Sequence, residues 1–295
     1  MEIKKAPLVK ESIFAFLVFV YGIVFHELVL SKLFIEWNFS SFYSKQLSYV
    51  VCAILVLLIY KKTIINKNLK IKQIVNLKFE NKKAFIALSI GLLSVPCSFL
   101  FNALEVLFVA QFSESSAINL WAFEVQDVVI ERNNKLGDNF FIFITFIFTH
   151  ALIAPLIEEL TFRGIILPNL AQKYNPLIAI MITSVLFTLI HPSNRYLDVF
   201  IFSILVAWIT LKTSHIIYAF MIHAGYNFLS WILEVHNVML LFTNKAPETV
   251  KNASTWSNEL SLIIFIIPIT WLLKKLLKKT TKVNINDKNL PLLEG

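Results

Sequence analysis

Ile157-Glu158-Glu159-Leu160-Thr161-Phe162-Arg163-Gly164 sets two carboxylates and a guanidinium inside an apolar run. Leu152, Ile153, Ala154 and Leu156 come before it, and Ile165, Ile166 and Leu167 follow. Ionised groups in such surroundings are costly to desolvate unless they are paired or functional. On an α-helix Glu159 and Arg163 stand four residues apart, about 40° around the axis at roughly 100° per residue, so they pair on one face. Glu158 points elsewhere. A division of labour follows, in which Glu159 and Arg163 hold local structure while Glu158 faces a cavity and does chemistry.

The chain around this stretch is apolar throughout. Of its 295 residues 57% are hydrophobic and only 16% charged, and the mean hydropathy is +0.70, which excludes an ordinary soluble domain. Apolar runs of the kind that span a bilayer, which takes roughly 20 residues, occur near 12–31, 47–60, 84–110, 139–158, 177–191, 197–211, 215–233 and 259–273. The expected architecture is all-α, a polytopic membrane protein of about eight transmembrane helices around an intramembrane polar chamber. Residues 1–295 form a single integral membrane domain. Lys and Arg set its orientation. Lys4, Lys5 and Lys10, the eight lysines from Lys61 to Lys83, and the six from Lys274 to Lys288 fall on one side if both termini are cytoplasmic. That makes 274–295 a basic cytoplasmic tail in a multi-pass cell-membrane protein. The net charge of +8 reflects this asymmetry and attraction to anionic membrane lipids, so nucleic acid is not invoked as a partner.

Several polar features have ordinary explanations. Cys52 and Cys97 lie inside apolar runs without metal-type or CxxC spacing and read as small buried side chains. His26-Glu27-Leu28-Val29-Leu30 starts like the zinc-protease helix motif and fails at Leu30, leaving an interfacial polar pair near a helix end. Ile71, Ile74, Val75 and Leu77 suggest a basic amphipathic segment on the inner leaflet, or a solvated loop. Glu105 is an ionisable group in a span, and such groups are functional candidates by default. The acid-bearing segment 111–138 and the polar stretch 236–258 read as external loops.

Three further residues belong with Glu158. His191 ends the fifth run, after Phe187, while His223 and Asn227 share a helix face in the seventh, with Gly225 between them allowing a close approach. A turn at Tyr174-Asn175-Pro176 follows from the proline, which disfavours helix before it and starts one well. Glu158 and His191 each lie 16 residues from that turn, so an antiparallel hairpin brings them level. A straight hairpin of this kind is too long for the membrane. Glu158 lies about 24 Å from the turn, and the run back to Phe140 adds roughly 27 Å against a core of about 30 Å. Either the hairpin projects into the cytoplasm, or the helix breaks near Pro155, or the 177–191 segment does not cross fully.

Glu, two His and Asn together have the means for peptide hydrolysis. A carboxylate takes a proton from water, and an imidazole positions that water or protonates the leaving amine. A second His and an Asn amide donate to the oxyanion of the tetrahedral intermediate. No activated Ser or Cys competes for the role. A non-enzymatic membrane scaffold, or an immunity protein binding a bacteriocin or a membrane partner, is the alternative. A transporter fits less well without visible repeat symmetry.

Glu158-Glu159-Leu160-Thr161-Phe162-Arg163 (EExxxR), Phe187 to His191 (FxxxH) and His223 to Asn227 (HxxxN) resemble the three motifs of the CPBP family of intramembrane endopeptidases, also called the Abi or type II CAAX prenyl protease family. The resemblance covers about residues 84–235, a CPBP-like catalytic core. It implies that Glu158 and His191 activate water, that His223 and Asn227 form the oxyanion hole, and that Glu159, Arg163 and Phe187 support them. It also implies an eight-helix protein with an intramembrane chamber; the substrate does not carry over from it, and a peptide or lipid-modified protein is the expectation. Eukaryotic relatives remove the last three residues of prenylated CAAX proteins, whereas bacterial members are associated with bacteriocin immunity, peptide processing and abortive infection. The family is often labelled a metalloprotease. If zinc binds, Glu158, His191 and His223 are its ligands. The residues favour no cofactor, because Glu158 as a ligand is lost as a base and no second base stands beside it.

Overall fold

The computed structural model describes residues 8–37, 41–65, 80–119, 144–145, 147–192, 195–235 and 261–278. Of these 93% are helical and none is in a strand, so the protein is all-α. The amphipathic segment at 71–77, most of the loop at 111–138, the stretch 236–258 and the tail from 279 onward lie outside the described residues.

Helix α1 (Leu8–Phe25) continues through a π-helical turn (His26–Leu30) into α2 (Ser31–Glu36), and α3 (Ser41–Tyr60) follows. Then come α4 (Asn81–Ala110) and a continuous run made of a π segment (Phe148–Ile153), α5 (Ala154–Glu159), a second π segment (Leu160–Ile166) and α6 (Leu167–Lys173). Helices α7 (Pro176–Leu189), α8 (Tyr196–Thr213), α9 (Ile216–Val235) and α10 (Ile266–Leu276) complete the set. The helices fall on the apolar runs. Five stretches are long and apolar enough to cross a membrane: Lys10–Glu36, Tyr43–Thr63, Asn81–Ala110, Tyr196–Thr213 and Ile216–Leu233. Leu17, Leu58, Phe108 and Ile267 are exposed on the outer surface, which suits a bilayer and not water.

Two expectations need revision. The run through Pro155 does not break: it stays helical by widening into π turns directly before Ala154 and before Leu167. Pro155 and Pro168 sit at the starts of the α segments that follow. A proline lacks an N–H and clashes with the carbonyl four residues back, and a π turn displaces that carbonyl. Helix α7 has 14 residues, roughly 21 Å at 1.5 Å per residue, too short to cross a core of about 30 Å alone. The third resolution of the depth problem, incomplete crossing by this segment, is therefore the one its length favours. The hairpin turn itself is where the proline sets it. Asn175 Oδ1 accepts the Leu177 N–H at 2.9 Å and Pro176 opens α7.

His26 and Glu27 likewise lie inside a continuous helical run and not at a helix end. His26 Nδ1 meets Ser48 Oγ at 2.6 Å and Glu27 approaches Lys45 at 3.7 Å, tying α1 to α3. Glu105 caps another helix. Its Oε2 accepts the Leu197 N–H at 3.1 Å, which fixes the start of α8 against α4.

Helices α4 and α9 pack backbone to backbone. A Cβ at Gly91 would stand 2.0 Å from Ile222 O, and one at Gly225 would stand 2.7 Å from Leu88 O. Backbone cannot yield as a side chain does, so Gly91→Ala must drive the helices apart. We expect a loss at or above the upper end of the usual overpacking range, about 3 kcal/mol, seen as a lower melting temperature in detergent. At Gly22 the nearest atom to an added Cβ is side-chain, Val56 Cγ2 at 3.0 Å, and Gly22→Ala should cost far less. Equal melting temperatures for the two variants would contradict this packing.

Candidate active site

The site is assembled where the α5 run, α7 and α9 meet. Glu159 and Arg163 have no exposed side-chain surface, and Arg163 Nη1 donates to Glu159 Oε1 at 3.0 Å. Arg163 also donates from Nη2 to Ser203 Oγ on α8 at 2.8 Å. Its guanidinium lies 4.2 Å from the centre of the Phe187 ring, a stacked cation–π contact. Phe187, itself 1% exposed, stands edge-on to Phe162 at 5.1 Å and touches the His191 ring at 4.6 Å and the His223 ring at 5.8 Å. This one aromatic ring thus supports the ion pair and both histidines.

Glu158 occupies the other face of the helix. Its Oε2 is buried without a hydrogen-bond partner, 4.0 Å from His191 Nε2 and 3.8 Å from His223 Nε2. The two rings are oriented from behind. His191 Nδ1 lies 2.7 Å from Phe187 O, and His223 Nδ1 lies 2.8 Å from Glu159 Oε1. A carbonyl and a carboxylate can only accept, so Nδ1 carries the proton in both rings and Nε2 faces Glu158. Asn227 Nδ2 donates to His150 O at 2.9 Å. That carbonyl belongs to the π segment Phe148–Ile153, in which hydrogen bonds are offset, and single π turns recur at functional sites. An amide NH₂ has a second hydrogen, which remains for a ligand.

Glu158, His191, His223 and Asn227 line one cavity of about 210 Å3. Four hydrocarbon-embedded residues from three separate sequence regions are therefore gathered around one polar volume. Arg195, Asp198, Tyr226, His150 and Trp231 also line it, and the motifs do not include them. Some signal existed: Arg195 and Asp198 are one helical turn apart just after the His191-Pro192 turn, and Tyr226 lies beside Asn227.

The donor set of Glu158, His191 and His223 suits zinc by type, and the spacing is slightly wider than a tetrahedral zinc site. Ligand atoms of a tetrahedral zinc, at about 2.1 Å from the metal, stand about 3.4 Å from one another. The gaps from Glu158 are 3.8 and 4.0 Å. A water hydrogen-bonded at about 2.8 Å on each side reaches across them at an angle of about 90°. Among the described residues no group of three or more His, Cys, Asp and Glu side chains is set to hold a metal ion.

Neither a curated protein nor a solved structure matches the chain. Residues 140–229, which hold Glu158, His191, His223 and Asn227, match the family model of type II CAAX prenyl endopeptidases, Rce1-like, so this segment is similar to that family.

Proposed function

We propose that the protein is an intramembrane endopeptidase in which Glu158 acts as general base on a water held between its own carboxylate and the His191 imidazole. The observation that carries this is the partnerless Oε2 of Glu158, buried 4.0 and 3.8 Å from two imidazole nitrogens. Glu158 takes a proton as the water oxygen attacks the peptide carbonyl carbon. The oxyanion is held by the second amide hydrogen of Asn227 and by His223 Nε2. For Nε2 to donate while Nδ1–H is given to Glu159, the His223 ring must carry both protons. Glu159, bonded to both Arg163 and the His223 ring, holds that ring in place for this role. The C–N bond breaks as the amine leaves with the proton that Glu158 took, passed directly or through His191.

Substrates of the CAAX type, peptides or proteins with a lipid-modified cysteine near the C-terminus, agree with the family match. No metal takes part in the proposed steps. A direct test uses the purified protein in proteoliposomes with an S-prenyl CAAX peptide in ¹⁸O-labelled water. Release of a C-terminal fragment, with ¹⁸O in the newly formed carboxylate, is the expected result by mass spectrometry. The rate should be unchanged within about twofold by a strong chelator, since general-base rather than metal activation is invoked. Loss of activity on chelation, restored specifically by zinc, would reassign Glu158, His191 and His223 as ligands.

A further inference from the structure

The chamber contains a second, separately anchored polar group. Arg195 Nη2 donates to Tyr226 Oη at 2.6 Å and to Asp198 Oδ2 at 3.2 Å, and Tyr226 Oη donates to the same Asp198 oxygen at 3.0 Å. Asp198 is 2% and Tyr226 7% exposed, while the Arg195 side chain keeps 32% of its surface open. The three span α8, α9 and the turn after His191, and the Leu197 N–H bond to Glu105 at 3.1 Å secures that turn to α4. The guanidinium is thus a cation fixed at the chamber wall.

Two features indicate what it holds. Asp198 Oδ1 is buried with no hydrogen-bond partner, so an unsatisfied acceptor stands beside a fixed donor on a residue that lines the chamber. Asp198, Phe202 and Tyr226 also line a second cavity of about 240 Å3, whose other walls include Leu205, Ile269 and Leu273. A cation, an acceptor and an apolar volume side by side match the last residue of a peptide chain. Its carboxylate fits the Nη1 amino group of Arg195, which the clamp through Nη2 leaves out, its amide N–H fits Asp198 Oδ1, and its apolar side chain fits the second cavity.

We propose that Arg195, clamped by Asp198 and Tyr226, binds the C-terminal carboxylate of the substrate, which makes the enzyme selective for chain ends. This rests on the peptidase reading of the adjoining site and adds a specificity residue to it. Arg195 is a binding and positioning residue with no part in the proton transfers.

The test compares an S-prenyl CAAX peptide bearing a free C-terminal carboxylate with its C-terminal carboxamide. Both binding, by fluorescence anisotropy of labelled peptides, and hydrolysis are measured on the full-length protein in proteoliposomes. Wild type should prefer the carboxylate by about tenfold or more, the scale of one charge-assisted hydrogen-bonded pair. Arg195→Gln should bring the ratio to within about twofold of unity. Arg195→Lys keeps a counter-charge for Asp198 and loses the planar guanidinium that serves the clamp through one nitrogen and the carboxylate through another. It guards against misfolding of the Gln variant and should lower the ratio at least about threefold. A ratio near one in wild type, or one untouched by Arg195→Lys, overturns the subsite. Carboxylate-selective binding without hydrolysis keeps the subsite and removes the peptidase reading. Equal hydrolysis of both peptides does the reverse, and binding of neither removes both.

Discussion

Glu158→Gln is expected to lower the rate of peptide hydrolysis by about 10²- to 10⁴-fold, the range that a positioned general base contributes. The substitution preserves shape and leaves the fold intact, because Glu158 Oε2 makes no hydrogen bond and the side chain lines a cavity instead of filling a packed interior. Binding should change little. The loss therefore belongs in kcat, with KM held within a few fold, since the missing interaction is one made in the transition state. Single-turnover kinetics on matched amounts of folded protein, together with mass spectrometry of small and lipid-modified peptides from native membranes, provides the check. A Glu158→Gln protein that is stable and hydrolyses at the wild-type rate would leave a scaffold whose charges serve binding.

The neighbouring carboxylate should behave in the opposite way. Glu159→Gln removes the anion that holds Arg163 at 3.0 Å and His223 at 2.8 Å in a place with no exposed surface. Removing one member of a buried ion pair typically costs about 3–5 kcal/mol, because the other charge is left without compensation. A large drop in melting temperature is expected, with activity falling in addition because His223 loses the group that orients its ring. Replacing both partners by apolar residues, Glu159→Leu with Arg163→Met, should recover much of the stability and none of the activity. A double-mutant cycle read by thermal melting and by hydrolysis separates the two effects. If Glu159→Gln melts like wild type, the ion pair is not the fastener described.

These two outcomes differ although the residues are adjacent, and that difference was readable from helical spacing. Residues four apart share a face, so Glu159 meets Arg163 while Glu158 is turned away. The Asn175-Pro176 turn was equally legible, because proline's restriction on the preceding residue is local. Gly225 was legible only in part. Its role as a close-approach point followed from its place between His223 and Asn227, but its partner, the Leu88 backbone, comes from a helix that no local pattern specifies.

Other features were not readable. The π turns before Ala154 and Leu167 carry no periodic signal, and they allow a continuous helix through Pro155 where a break was one expectation. His150 enters the site partly through its carbonyl, which accepts from Asn227, and any residue type offers a carbonyl. Glu105 was a functional candidate only by default, as an ionisable group within a span, and its capping of α8 through Leu197 depends on how two helices cross.

The sequence by itself determined the class of protein, the positions of its helices and the residues able to do chemistry. Each of these follows from hydropathy, periodicity or side-chain type within one segment. Only the tertiary structure decided the distances that matter: two imidazole nitrogens 4.0 and 3.8 Å from one carboxylate oxygen, and an arginine clamp beside them from residues outside the motifs. Those distances depend on helix crossings set by backbone contacts at Gly91 and Gly225 and on a buried ion pair that bridges α5 to α8 and α9. Interactions between helices far apart in the chain have no local signature, so the chamber they enclose had to be seen folded.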